Sequence, residues 1–249
     1  LGGMHHGGGY VEVAEKSASI AEAFYEKAAN LGHKKSHEKL CMMAFERNDN
    51  SKAIHHATLA LNGEDWRDYP KLSMVLGHLF FGHDEAVRLV GDCKKSHYRA
   101  KHYLKFASEA GCTPSFLTYA HCLMMISIQQ FSFHDKNLWD NDLPIHEAII
   151  SALPHISFTR CSSIPKALYW YRKAVAGRKG EVCDEARAII RSIELASQQQ
   201  CANCGKEARA LPEKKLKNCI KCRAVCYCCK ECQVADWKKG HKIDCVKYD

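Results

Sequence analysis

Four pairs of metal-ligating residues lie within 45 residues of this 249-residue chain, and no other feature restricts its fold as much. Cys201-x2-Cys204 is followed by fourteen residues and then Cys219-x2-Cys222; five more lead to Cys228-x3-Cys232, and eight more to His241-x3-Cys245. Structural zinc takes thiolate and imidazole in fours, and a spacing of two or three lets a tight turn or one helical turn present both members of a pair. Eight ligands therefore predict two tetrahedral zinc sites with no open position. The spacing leaves two divisions of the ligands open. A sequential one gives the first four cysteines to one metal, and an interleaved one pairs the first ligand pair with the third. In the interleaved case each metal closes a longer loop, which gives a single fold to a segment poor in apolar residues. Structural zinc is worth about 10–16 kcal/mol in small finger peptides, more than so small a core supplies.

The run Cys226-Tyr227-Cys228-Cys229-Lys230-Glu231-Cys232-Gln233-Val234-Ala235-Asp236-Trp237, followed by His241 and Cys245, resembles a MYND-type zinc finger. Gln233 and Trp237 are non-ligand residues that mark the family. Cys229 departs from it, since Ser is more usual there, and Cys226 is a further extra thiol. The resemblance implies the interleaved cross-brace. Cys201, Cys204, Cys228 and Cys232 then hold zinc 1, and Cys219, Cys222, His241 and Cys245 hold zinc 2. It also implies that the finger takes short proline-containing peptides, with Gln233 and Trp237 at the peptide-binding positions.

Charge first suggests a nucleic-acid partner, because the formal net charge is +8. Residues 201–249 hold twelve Lys and Arg against six Asp and Glu, so +6 of it is here. Seven ligand thiolates and two divalent ions remove three of those charges and leave about +3 on the loaded finger. The basic run Lys214-Lys215-Leu216-Lys217 has no interleaved aromatics for base stacking and is expected to be a solvated loop. Nucleic acid is thus disfavoured as a partner. Of fifteen cysteines, nine follow residue 200; Cys41, Cys93, Cys112, Cys122, Cys161 and Cys183 are scattered and are expected to be small core residues. Reduced thiols with zinc suit cytoplasm or nucleus. No run of eighteen apolar residues predicts a membrane span, and no secretory leader pattern is visible.

Upstream of the finger the pattern is helical and it repeats. Ala21-x2-Phe24-x3-Ala28 leads to Gly32, Ala53-x2-His56-x3-Ala60 to Gly63, Ala100-x2-Tyr103-x3-Ala107 to Gly111, and Ala167-x2-Trp170-x3-Ala174 to Gly177. Alanines seven apart let a neighbouring helix approach closely, a bulky residue fills the gap between them, and glycine suits the helix C-terminus. A second helix is expected after each: 36–45, 72–81, 116–125 and 182–195. This is the arrangement of stacked helix pairs, and the Gly-terminated helices with Leu72-Ser73-Met74-Val75-Leu76-Gly77 resemble Sel-like repeats, relatives of the tetratricopeptide family. The unit spacings of 32, 47 and 67 residues make the later units irregular. Pro144 is expected to open a short helix ending near Pro154, and residues 131–142 have no clean period. The Gly-rich residues 1–10 are expected to be a disordered tail, His5 and His6 included.

Catalytic signatures are missing from the sequence: no phosphate-cradling glycine loop and no GxSxG elbow. Both predicted zinc sites are closed by protein ligands, which leaves no water position for hydrolysis. The helical histidines (His55, His56, His78, His83, His97, His102 and His121) are expected to be satisfied or exposed, not catalytic. The sequence therefore predicts no enzyme and no small-molecule substrate. It predicts an all-α helical-repeat solenoid over 11–197 and a two-zinc cross-braced finger over 201–245, joined by the polar Ser197-Gln198-Gln199-Gln200. The expected role is adaptor between proteins through short peptides. The alternative is a nucleic-acid-associated regulator acting through the basic face of the finger. With a core of its own, the helical part is expected to keep its helices when zinc is removed.

Overall fold

The structure, a computed structural model, describes residues 7–61, 69–82, 93–129, 144–156, 158, 163–176 and 180–247. Helices α1 (Gly7–Asn30), α2 (Lys34–Glu46), α3 (Asn50–Ala60) and α4 (Pro70–Gly82) form the first half of the helical part. Helices α5 (Cys93–Glu109), α6 (Ser115–Gln129), α7 (Ile145–Ala152), α8 (Ile164–Val175) and α9 (Glu181–Ser197) complete it. Each expected second helix is present and extends at its ends beyond the expected range. Helix α1 begins at Gly7, so residues 7–10, expected in the tail, are helical. The first N–H groups of any helix lack an intrahelical partner, and glycine costs about 1 kcal/mol per residue in a helix, a cost that this long helix carries at its start. His5, His6 and the expected irregular stretch 131–142 lie outside the described residues.

Packing follows chain order. Helices α1 to α6 contact one another in sequence, α6 packs on α8 and α8 on α9. The second helices of successive pairs, α2, α4 and α6, also touch, while α7 lies against α6 and α9. This is the neighbour-to-neighbour contact pattern of a helical-hairpin stack. The alanine rule explains it: Ala53, Ala60, Ala100, Ala107 and Ala167 are fully buried, and Trp170 fills its gap against Phe116 and Tyr119, at ring distances of 5.1 and 5.7 Å. Phe24 is the exception. It is 66% exposed, and among the described helices α1 packs chiefly on α2.

The turns between helices carry their own signals. Gly32 and Gly111 are left-handed (φ +84° and +86°), and the N–H groups of His33 and Cys112 reach back to the carbonyls of Ala28 and Ala107. Asn48 (φ +59°) does the same work after α2, where no glycine marked the end, with the Asp49 N–H on the Ala44 carbonyl. Asp49 then caps α3 by accepting from the Lys52 N–H. Of the scattered cysteines, Cys41 and Cys122 are core residues and Cys112 and Cys183 are half-buried; the side chain of Cys93, and Cys161, lie outside the described residues.

Gly77 sets the approach of α4 to α5. A Cβ there would stand 2.5 Å from Leu104 Cγ, 2.7 Å from its Cδ2 and 3.2 Å from its backbone nitrogen, and Leu104 is fully buried. Overpacking of this kind costs about 1–3 kcal/mol, against a helix-propensity gain of about 1 kcal/mol for alanine. Gly77→Ala is therefore expected to destabilise the protein in denaturant titration, by roughly 1–2 kcal/mol. A stabilised variant would mean that α4 and α5 can separate freely.

Candidate metal centre

Residues 201–247 fold around two turns of the same design. In each, the carbonyl of the first cysteine accepts a bond from the N–H just after the second: Gly205 to Cys201 at 2.8 Å and Arg223 to Cys219 at 2.9 Å. That following residue is left-handed in both, glycine in the first (φ +73°) and Arg223 in the second (φ +53°). A non-glycine residue held there costs about 1 kcal/mol or more, so the surrounding ligation has to hold it.

A short ladder brings the two turns together. Strands β1 (Lys217–Asn218) and β2 (Cys226–Tyr227) pair antiparallel, Lys217 opposite Tyr227 and Asn218 opposite Cys226. The ladder is extended by the Cys219 N–H on the Val225 carbonyl, and the Ala202 N–H donates to the Cys226 carbonyl, both at 2.9 Å. The first turn is thus stitched beside the end of β2, next to Cys228. Helix α10 (Lys230–Asp236) carries Cys232 one turn beyond it. A wide π turn over Trp237–His241, with Gly240 at φ +154°, then redirects the chain. His241 and the single turn α11 (Lys242–Asp244) follow and return Cys245 to the second turn.

The result is an interleaved grouping. Cys201, Cys204, Cys228 and Cys232 form one cluster; Cys219, Cys222, His241 and Cys245 form the other, with the ligand atoms of each within 4.8 Å of one another. Tetrahedral zinc requires about 3.8 Å between thiolate sulfurs and about 3.6 Å between sulfur and imidazole nitrogen. The sulfur separations are 3.7 Å for Cys204–Cys228, 3.5 Å for Cys228–Cys232 and 3.8 Å for Cys219–Cys245. His241 Nε2 lies 3.4 Å from Cys219 Sγ and 3.7 Å from Cys222 Sγ. The donor sets and spacings fit two zinc ions. Ligation through Nε2 leaves the His241 proton on Nδ1.

The two clusters differ in shelter. All four residues of the second are buried; in the first only Cys201 is, with Cys228 and Cys232 half-buried and Cys204 exposed. In the second cluster hydrogen bonds from the Cys222 thiol and His241 pull the Cys219 thiol well below the usual thiol range, while the same bond pushes Cys222 up. The pair thus shares a proton that a metal would displace.

Both extra thiols have places outside the clusters. Cys226, 1% exposed, donates to Asn218 Oδ1 at 2.7 Å and lies 3.9 Å from Ser197 Oγ. Cys229 is the N-cap of α10, where its sulfur accepts from the Cys232 N–H, so it fills the capping role that serine serves elsewhere. Of the other marked residues, Trp237 is 39% exposed with its ring 5.9 Å from that of His241, and the Lys221 ammonium is 5.7 Å from the indole centre. Gln233 is half-buried on α10.

The finger is docked on the last helices, which the polar composition of residues 197–200 did not suggest. Arg172 on α8 donates to the Cys222 carbonyl at 3.2 Å and to the Glu194 carboxylate on α9 at 2.7 Å. Lys166 pairs with Asp244 at 3.0 Å, and Gln200 Nε2 donates to the Ile156 carbonyl at 3.3 Å. The buried apolar side chains form one continuous cluster from Cys41 to Cys245.

The arrangement defines a class: a small cross-braced two-zinc finger. Residues 201–245 match the family model of the MYND finger, so the finger of this chain is of MYND type. Among known proteins, ubiquitin carboxyl-terminal hydrolase 19 of Arabidopsis thaliana is 36% identical over 55 residues, 22% of this chain and 7% of that protein. SET domain-containing protein 14 of Caenorhabditis elegans is 39% identical over 62 residues, 25% of this chain and 14% of that protein. The chain thus covers only a small part of either relative. No solved structure matches. Among the described residues, no helix is long and apolar enough to cross a membrane.

Metal analysis of protein prepared without chelator is expected to find two zinc ions per chain, and still two in Cys226→Ser and Cys229→Ser. Cys204→Ser combined with Cys219→Ser is expected to lower the count; an unchanged count would sink the ligand sets. Because the core is continuous, a strong chelator is expected to lower the melting midpoint of the helical part by at least about 3 °C as well as unfolding the finger. An unmoved midpoint would mean that the seam contributes nothing.

Proposed function

We propose that this chain is a zinc-stabilised adaptor between proteins, with the finger binding short proline-containing segments at Gln233 and Trp237 and the helical stack offering a second, broader surface. The reading rests on the MYND type of the finger, a non-catalytic interaction module, and on the position of Trp237. That indole is more than a third exposed although its ring edge meets His241. Held by a metal ligand, with the long, flexible Lys221 side chain over its ring for a peptide to displace, the indole is a rigid apolar platform. Proline-rich segments arrive with their backbone already extended, so docking them on an aromatic face costs little ordering entropy. The Gln233 amide, one turn earlier, supplies a donor and an acceptor for the peptide backbone. Val234, 46% exposed beside it, widens the apolar face. Cytoplasm or nucleus is the proposed setting, where thiols stay reduced.

Zinc content and peptide binding, measured on one preparation, test this. Trp237→Ala is expected to keep two zinc ions and to lose at least tenfold in affinity for a proline-rich peptide, about 1.4 kcal/mol. Gln233→Ala is expected to lose less. Full binding by a correctly metallated Trp237→Ala protein would end the platform idea. Loss of zinc in that variant would make the indole a support for His241 instead.

A further inference from the structure

Away from the finger, α2 and α3 bring together two histidines that no sequence pattern connects. His37 and His56 are nineteen residues apart, yet their Nδ1 atoms lie 3.1 Å from each other. Both side chains are half-buried on the face between the two helices, so their nitrogens are accessible but not free to swing. His55, exposed, stands beside them with its ring 5.3 Å from that of His56. Without a metal the contact is an N–H···N hydrogen bond, one ring carrying its proton on Nδ1 and the other on Nε2, and it holds the two nitrogens at ligating distance.

We propose that His37 and His56 form a third metal site, a two-imidazole chelate for a divalent transition ion of the zinc, nickel and copper class. Imidazole suits these ions, and a metal–nitrogen distance of about 2.0–2.1 Å puts cis nitrogens about 2.9–3.3 Å apart, a window that contains the observed spacing. Each ligand would bind through Nδ1 and keep its proton on Nε2, which faces away from the metal. Water completes the coordination, since no third His, Cys, Asp or Glu among the described residues brings a ligand atom within 4.8 Å of both nitrogens. The charged and titratable groups acting on the pair are mixed: Glu26 favours a cation at His56, while Lys52 and His55 oppose one. Burial, the largest influence on both, holds the two rings below their ordinary pKa and therefore neutral and ligating at neutral pH. An ion here ties α2 to α3 across the turn Arg47–Asp49, joining the first helical pair to the second. With two protein ligands where the finger clusters have four, the ion exchanges readily.

The test starts from the full chain carrying two zinc ions and adds Zn2+ alone. One further ion per chain is expected to bind, and to raise the melting midpoint of the helical part. His37→Ala and His56→Ala are each expected to weaken this binding at least tenfold while retaining the first two ions; His56→Gln, which keeps a polar side chain, is expected to do the same. A variant with His5 and His6 both changed to alanine is expected to bind the third ion as the parent does. Absence of a third ion would overturn the site. Equal binding by the His37→Ala and His56→Ala proteins, or loss in the His5/His6 variant, would do so too.

Discussion

Each metal of the finger takes one ligand pair from before β2 and one from after it, and most of what surrounds the finger follows from that crossing. A ligand pair on a tight turn restrains only a few residues. When the same pair shares an ion with another pair some two dozen residues further on, the ion closes everything between. Cys201 and Cys204 meet Cys228 and Cys232 around the whole of the second turn and the ladder. Zinc therefore does here what apolar burial does in α2 to α9. The strands can be two residues long and the helix seven because neither has to be stable alone.

The metal also shapes the seam. Arg172 reaches a carbonyl, that of ligand Cys222, and the direction of that carbonyl is set by the turn that wraps the second cluster. Its other branch bonds Glu194, so a single guanidinium connects α8, α9 and a metal-bearing loop. With Lys166–Asp244 six residues earlier on α8, the finger is held at two points to one helix. The shared apolar cluster makes this more than a pair of surface bonds, which alone contribute little.

Much of this was legible in the sequence, for reasons that differ by element. The ligand pairs were readable because metal chemistry restricts both residue type and local spacing, and the family resemblance chose between two ways of dividing them. Buried alanines seven apart marked the helices, since only close approach needs so small a residue on a repeating face. The end of α2 is expected at 45, one residue short of Glu46, but its cause is not readable, because Asn48 takes the left-handed place that glycine takes elsewhere. Phe24 shares the helical pattern of the other bulky residues, yet pattern alone does not say which face a neighbouring helix covers. The docking of the finger and the meeting of His37 with His56 were beyond reach: their partners are 50 and 19 positions away, and one is a backbone carbonyl, identical in every residue.

Crossed ligation also orders events during synthesis. The first cluster is complete once Cys232 has emerged, whereas the second waits for His241 and Cys245. Until then Cys219 and Cys222 lack the other half of their ligand set. The partner pair of the first cluster arrives sooner, on a helix whose N-cap is the thiol of Cys229. The two clusters thus have different completion points along the chain, the exposed one at Cys232 and the sheltered one at Cys245.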